Sequence, residues 1–245
     1  MTPSAVLHAE WIKIRSVRAS WGSLLSVLIA SLAITLLVYP LIGTAEADNP
    51  DHDALFGAFY ALNFAQIAAI SYGATAFSCE YAHGALRVSL AAVPRRGLFY
   101  AAKTAVIGAS ALVLGLTASF TSFLVGQLFM AEYAIGLGDP GALSACMGGG
   151  LYLALMALLA SGLTALLRSG VAALSLLIPF VLIVGFVIGD RNAGIAEFLP
   201  DRAGQVILHS EHTGTLGPWT GLAVTALWAA ASVLAGWWAI RRRDA

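Results

Sequence analysis

Apolar residues in this chain gather into long runs, and polar residues gather between them. The runs at 21–42, 54–79 and 104–131 contain no charged residue. Those at 141–167 and 169–189 are separated only by Arg168, and 216–240 is the last. A hydrocarbon layer of about 30 Å needs about 20 helical residues at about 1.5 Å each. Each run reaches that length. Within lipid the backbone has to satisfy its own hydrogen bonds, so runs of this kind predict helices. The period-two alternation of a membrane barrel is absent. The expected fold is an all-α integral membrane protein with six transmembrane helices in a single transmembrane domain, 1–245.

The segments between the runs carry their own patterns. At 1–20 an amphipathic N-terminal stretch puts Val6, Trp11, Ile14 and Val17 on one helical face, with Lys13, Arg15 and Arg18 elsewhere. It reads either as a helix at the membrane interface or as a basic flank that fixes topology. At 80–103, Leu86, Leu90 and Val93 recur at three- and four-residue spacing before Pro94, which predicts a short amphipathic helix. Two spans do not need so long a connection, so either this loop docks something, which is the expectation, or its arginines are interfacial anchors. At 190–215 apolar residues mix with charges, and two short helices around Pro200 would bury Ile195, Phe198, Leu199, Val206, Ile207 and Leu208 against the spans.

Composition agrees with a membrane class. Hydrophobic residues make up 59% of the 245 and charged residues 11%, where soluble domains carry about 25% charged. The net charge is zero, which leaves no basic field for nucleic acid. Charge placement sets the orientation. With the N-terminus inside, Lys13, Arg15, Arg18, Arg87, Arg95, Arg96, Lys103, Arg168, Arg241, Arg242 and Arg243 are cytoplasmic. Only Arg191 and Arg202 are outside, as the positive-inside bias expects. Both termini are therefore expected in the cytoplasm. The first run, about 22 residues long, exceeds the about 7–15 of a secretory signal core, so cleavage after Ala47 is not expected.

Missing chemistry narrows the function. No run holds an ionisable residue near its middle, which disfavours ion-coupled transport. His8, His52, His83, His209 and His212 all lie in loops or tails, which leaves haem between spans without axial histidines. Residues 97–104, GLFYAAKT, come one residue short of a phosphate-binding GxxxxGK[ST] loop, with Ala102 in place of glycine and bulky Leu98, Phe99 and Tyr100 inside it. They read as the entrance to the third span. The acidic loop 46–53 and the pair His209 and His212 with Glu211 read as solvated polar loops rather than metal sites. No catalytic, cofactor-binding or metal-ligating residue is assigned. Cys79 and Cys146 are expected near opposite faces and unpaired. Tyr60, Asn63 and Gln66, three apart on the second run, form a polar strip. It serves either for interhelical hydrogen bonds or as part of a translocation path.

Several segments together resemble one family. Glu10-Trp11-Ile12-Lys13-Ile14-Arg15 before the first run is similar to the start of ABC-2 type permeases of actinobacteria. Glu80-Tyr81-Ala82-His83-Gly84, then Val93-Pro94-Arg95-Arg96 and Ala102-Lys103, resemble their first inner loop. Leu199-Pro200-Asp201-Arg202-Ala203-Gly204 and the terminal Arg241-Arg242-Arg243-Asp244 fit as well. The resemblance implies the ABC-2, type V exporter-like permease fold in a bacterial plasma (inner) membrane. It implies pairing with a second permease copy or a sister permease, and two copies of a separate ABC ATPase that holds ATP and magnesium. Glu80, Gly84, Arg87, Pro94, Arg95 and Arg96 would then couple to that ATPase, and 190–215 would form a re-entrant helical cap. The chain itself would not be an enzyme. The competing readings are an ion-coupled secondary transporter, a lipid-modifying enzyme using Asp201, His209, Glu211 and His212, and a non-transporting immunity or assembly factor.

Overall fold

A computed structural model describes residues 2–43, 53–187, 193–210 and 214–242. Among them every regular element is helical. In chain order these are α1 (Pro3–Ser16), α2 (Arg18–Val38), α3 (Ala54–Ala58), α4 (Leu62–Ser78), α5 (Ala85–Ala92), α6 (Arg96–Gln127), α7 (Ala142–Leu167), α8 (Gly170–Val187), α9 (Ala193–Ala196), α10 (Pro200–Gln205) and α11 (Pro218–Arg242). Among the described residues four stretches, Arg18–Leu41, α6, α7 and α11, are helical, long and apolar enough to cross a membrane. The apolar stretch Gly170–Ile183 of α8 is shorter, and α4 has 17 residues.

The core forms around α7, which packs against α4, α6, α8 and α11. Small residues make this possible, because helices in lipid associate by close van der Waals contact. A Cβ on Gly73 of α4 would overlap the Ala157 carbonyl of α7, so glycine is required at that crossing. Tyr72, Phe77, Tyr100 and Tyr152 fill the wider gaps.

Three elements depart from the hydropathy pattern. The run at 54–79 does not form one helix. Phe59, Tyr60, Leu62 and Asn63 donate to carbonyls three residues back, and this tight turn separates α3 from α4. The Tyr39 hydroxyl donates to Gly57 O at 2.6 Å, which ties α3 to the end of α2. There Pro40 has no N–H to give, and the helix widens into the π-turn Tyr39–Gly43. Second, α6 starts at Arg96 rather than 104, so it takes in the last part of the loop. Third, α1 buries Val6, Glu10 and Ile14, a stripe at four-residue spacing. Trp11, one position off that stripe, is exposed instead of sharing the buried face. Lys13 sits over the Phe99 ring and Glu10 beside Lys103, while Leu7 shares a groove with Val106. The order of these contacts shows that α1 runs antiparallel along α6.

The stretch around Pro200 forms two short helical pieces, α10 and the 3-10 turn Val206–Leu208. Both tuck between α7 and α11. Thr225 donates to Pro200 O at 2.8 Å, and Trp228 Nε1 to Phe198 O at 2.8 Å. Thr225 lies about 10 Å along α11 from its start, counted at about 1.5 Å per residue. Ile207 and Leu208 are buried and Leu199 and Val206 half-buried, but Phe198 is exposed against the expectation, because Trp228 bonds its carbonyl and leaves its ring outside the packing. Residues 46–52 of the acidic loop, Asp190, Arg191, the Ile195 side chain, Glu211, His212 and Arg243 lie outside the described residues.

Candidate functional site

One end of the bundle gathers most of the basic residues. The Arg96 guanidinium, at the start of α6, donates to Ile240 O at the end of α11 (3.2 Å). Tyr81, after α4, donates to Ala165 O near the end of α7 (3.1 Å). These bonds place the first loop, the α7–α8 turn with Arg168, and Arg241 and Arg242 on one basic face.

Just inside that face lies a buried ion network. Lys103 sits two turns into α6 and is fully buried. Its ammonium is 2.8 Å from Glu80 Oε1 and 3.1 Å from Glu10 Oε2. Lys13 meets Glu10 Oε1 at 2.7 Å and Glu80 Oε1 at 3.2 Å. Ser89 of α5 donates to Glu80 Oε2 at 2.7 Å and receives a bond from Lys13 at 2.9 Å. Two carboxylates face two ammoniums, so the network is neutral. Glu10 and Glu80 are each 2% exposed, a position a carboxylate holds only when paired. Burial alone would raise the Glu80 pKa, but Lys103, Ser89 and Lys13 outweigh it and hold the carboxyl below its usual range.

The network joins four elements: α1 through Glu10 and Lys13, the turn Cys79–Gly84 through Glu80, α5 through Ser89, and α6 through Lys103. Moving any one of them pulls charges apart in a region of low dielectric, so the four are mechanically linked. Glu80 alone of this set was a sequence candidate, and it faces inward rather than outward. One signal in the sequence marks part of the rest, the Glu10–Lys13 spacing of three, while Lys103 reads there as a span-end charge.

The remaining loop candidates lie at the surface of the same face. Gly84, Arg87, Pro94 and Arg95 are exposed, and Arg96 is half-buried on Ile240. Gly84 has φ +74° where α5 begins, a backbone region that favours glycine. Residues 97–104 are helical throughout, so no phosphate-cradling loop exists there, and Lys103 is taken up by carboxylates. The strip on the second run divides. Gln66 is buried and accepts from Tyr152, which also receives a bond from Gln205 (3.3 Å). Tyr60 is 41% exposed, and Asn63 turns back to Tyr60 O at 3.3 Å.

At the opposite end Asp53 caps α3 and holds the 208–210 corner. It accepts from Leu55 and Phe56 amides, from the Ser210 amide and hydroxyl, and pairs with His209 at 3.1 Å. Phe56 stacks on the His209 ring at 4.2 Å. Asp201 is buried, and its Oδ1 has no hydrogen-bond partner. Cys79 and Cys146 are both unpaired. Among the described residues no three His, Cys, Asp or Glu side chains converge as a metal site.

The family model described as ABC-2 family transporter protein matches residues 6–186. The chain belongs to the ABC-2 transporter family. This ABC-2 protein is therefore a multi-pass permease of an ABC transporter, a class that works with an ABC ATPase subunit. The matched region contains the whole ion network and the exposed arginines of the first loop. No curated protein and no solved structure matches the permease.

Proposed function

We propose that the chain is the membrane-spanning subunit of a bacterial plasma-membrane exporter, driven by two copies of a separate ABC ATPase docked on the basic face. In this reading the chain crosses six times, with both termini cytoplasmic. Residues 54–78 supply the second crossing as α3 and α4 together, and α8 supplies the fifth. The permease pairs with a second copy or a sister subunit around a central path. Tyr60 and Asn63, open to the outside of the bundle, fit a path formed against that partner, and α10 with its flanks fits a re-entrant cap. ATP and magnesium belong to the ATPase, and this chain performs no hydrolysis.

The observation that carries the reading is the network of Glu10, Lys13, Glu80, Ser89 and Lys103, buried except at the part-exposed Lys13. An energy-coupling subunit needs a rigid link between a docking surface and helices that move. Here Arg87, Pro94 and Arg95 are exposed on the same loop that Glu80 and Ser89 fix to α6. ATP-driven closure of the partner would push α5, the network would pass that motion to α1 and α6, and the helices would shift between two packings. An ion-coupled carrier gains no support from this arrangement, because the buried charges sit at one end, neutralised.

The test is charge reversal at the surface. In Arg87→Glu/Arg95→Glu, the ATPase should no longer co-purify with the permease, or its hydrolysis should no longer respond to it. Unchanged association together with unchanged coupling sinks the docking assignment.

A further inference from the structure

A groove opens sideways between α6, α7 and α11, about 470 Å³ in volume. Tyr100, Ala101, Ala105, Gly108, Leu158 and Trp237 form most of its wall. Ala101, Ala105 and Gly108 lie on one face of α6, at spacings of four and three. Their small side chains recess that helix and leave the trough between its neighbours. The lining is almost entirely hydrocarbon, and its long direction follows the helices.

The end of the trough nearest the basic face is charged. Trp237 closes the wall there, and the Arg241 guanidinium lies 4.5 Å over its ring. Arg242 lies 4.8 Å over Trp238. The bond from Arg96 to Ile240 O holds the two helix ends together, so the spacing of the trough mouth is fixed. Arg95 is exposed at the same end. Tryptophan and arginine at a membrane boundary sit at headgroup depth.

We propose that this groove binds an anionic phospholipid of the leaflet bordering the basic face. One acyl chain lies along Ala101, Ala105 and Gly108, and the phosphate meets Arg241, which stacks on the wall residue Trp237. Charge complementarity selects the occupant. An apolar trough alone takes any chain, whereas the Arg241 guanidinium at its mouth prefers a headgroup with net negative charge over a zwitterionic one. A free phosphate ion meets Arg241 but leaves the trough empty, so it binds far more weakly. The bound lipid would splint α6 to α11, the two helices that Arg96 already joins. This proposal does not depend on how the ATPase docks.

The experiment is a thermal-melting titration of the purified full-length permease in detergent. Phosphatidylglycerol, phosphatidylcholine with the same chains, and inorganic phosphate are compared. Phosphatidylglycerol should raise Tm at lower concentration than phosphatidylcholine, and inorganic phosphate should not reproduce its effect. Arg241→Gln should weaken apparent phosphatidylglycerol binding by about fivefold, from the usual contribution of one basic residue near an anionic surface, and weaken phosphatidylcholine less. Ala101→Leu/Ala105→Leu, which fills the trough, should weaken both lipids. If the filled variant does not fold, the arginine variant decides alone. Equal responses to the two lipids in the wild type overturn the proposal. So does undiminished phosphatidylglycerol binding in the arginine variant, or a phosphate response equal to that of phosphatidylglycerol.

Discussion

Lys103 is the residue on which the basic end depends. Its ammonium is fully buried and lies within 3.1 Å of two carboxylates. Lys103→Met leaves Glu10 and Glu80 with only Lys13, one uncompensated buried charge. Breaking a buried pair in this way costs about 3–5 kcal/mol. The thermal midpoint in detergent should fall sharply. Lys103→Met/Glu80→Gln restores neutrality and should recover part of the loss, so the two changes together cost less than their sum. Additive losses would show that the groups are not coupled. A lone lysine near a span end reads from sequence as a topology signal. Only the packing of α1 against α6 shows that it has carboxylate partners.

The short helix α10 offers a second measurement, because its buried Asp201 is set apart from the other acids. Burial dominates there and raises the carboxyl above its ordinary value near 3.8. For an acid with a raised folded-state pKa, stability is greatest below the unfolded value. It is lost as pH rises through the folded one. Asp201→Asn keeps the acceptor and removes the charge. Above that window the variant should melt higher than the wild type, with the difference shrinking as pH falls toward 4. A difference that stays constant with pH, or a variant that melts lower throughout, contradicts this assignment. The position of α10 was readable beforehand from Pro200 and the apolar residues around it. The start of α6 was not, because counting apolar residues stops at Lys103, whose charge is neutralised only in three dimensions. The turn at 59–61 was equally hidden. Its run carries no charge and no proline to mark a break, and the interruption appears only with the Tyr39–Gly57 bond.

The molecule as a whole has two unlike ends. The basic end carries exposed Arg87 and Arg95 over a rigid ion network, and the other end is closed by the Asp53–His209 clasp. Membership of the ABC-2 family fixes the class, and the sequence already pointed there through its first-loop residues. Which helices the loop grips is legible only in the fold, since Glu10, Glu80 and Lys103 lie far apart in the chain. Site-specific crosslinking to the co-expressed ATPase asks directly which end meets the motor. Cys79 and Cys146 would first be replaced by serine, and a single cysteine then placed at Arg87, Arg95 or, on the far end, Ser210. Crosslinks from the Arg87 and Arg95 positions with none from Ser210 are the expected result. A crosslink from Ser210, with the two loop positions silent, would contradict it.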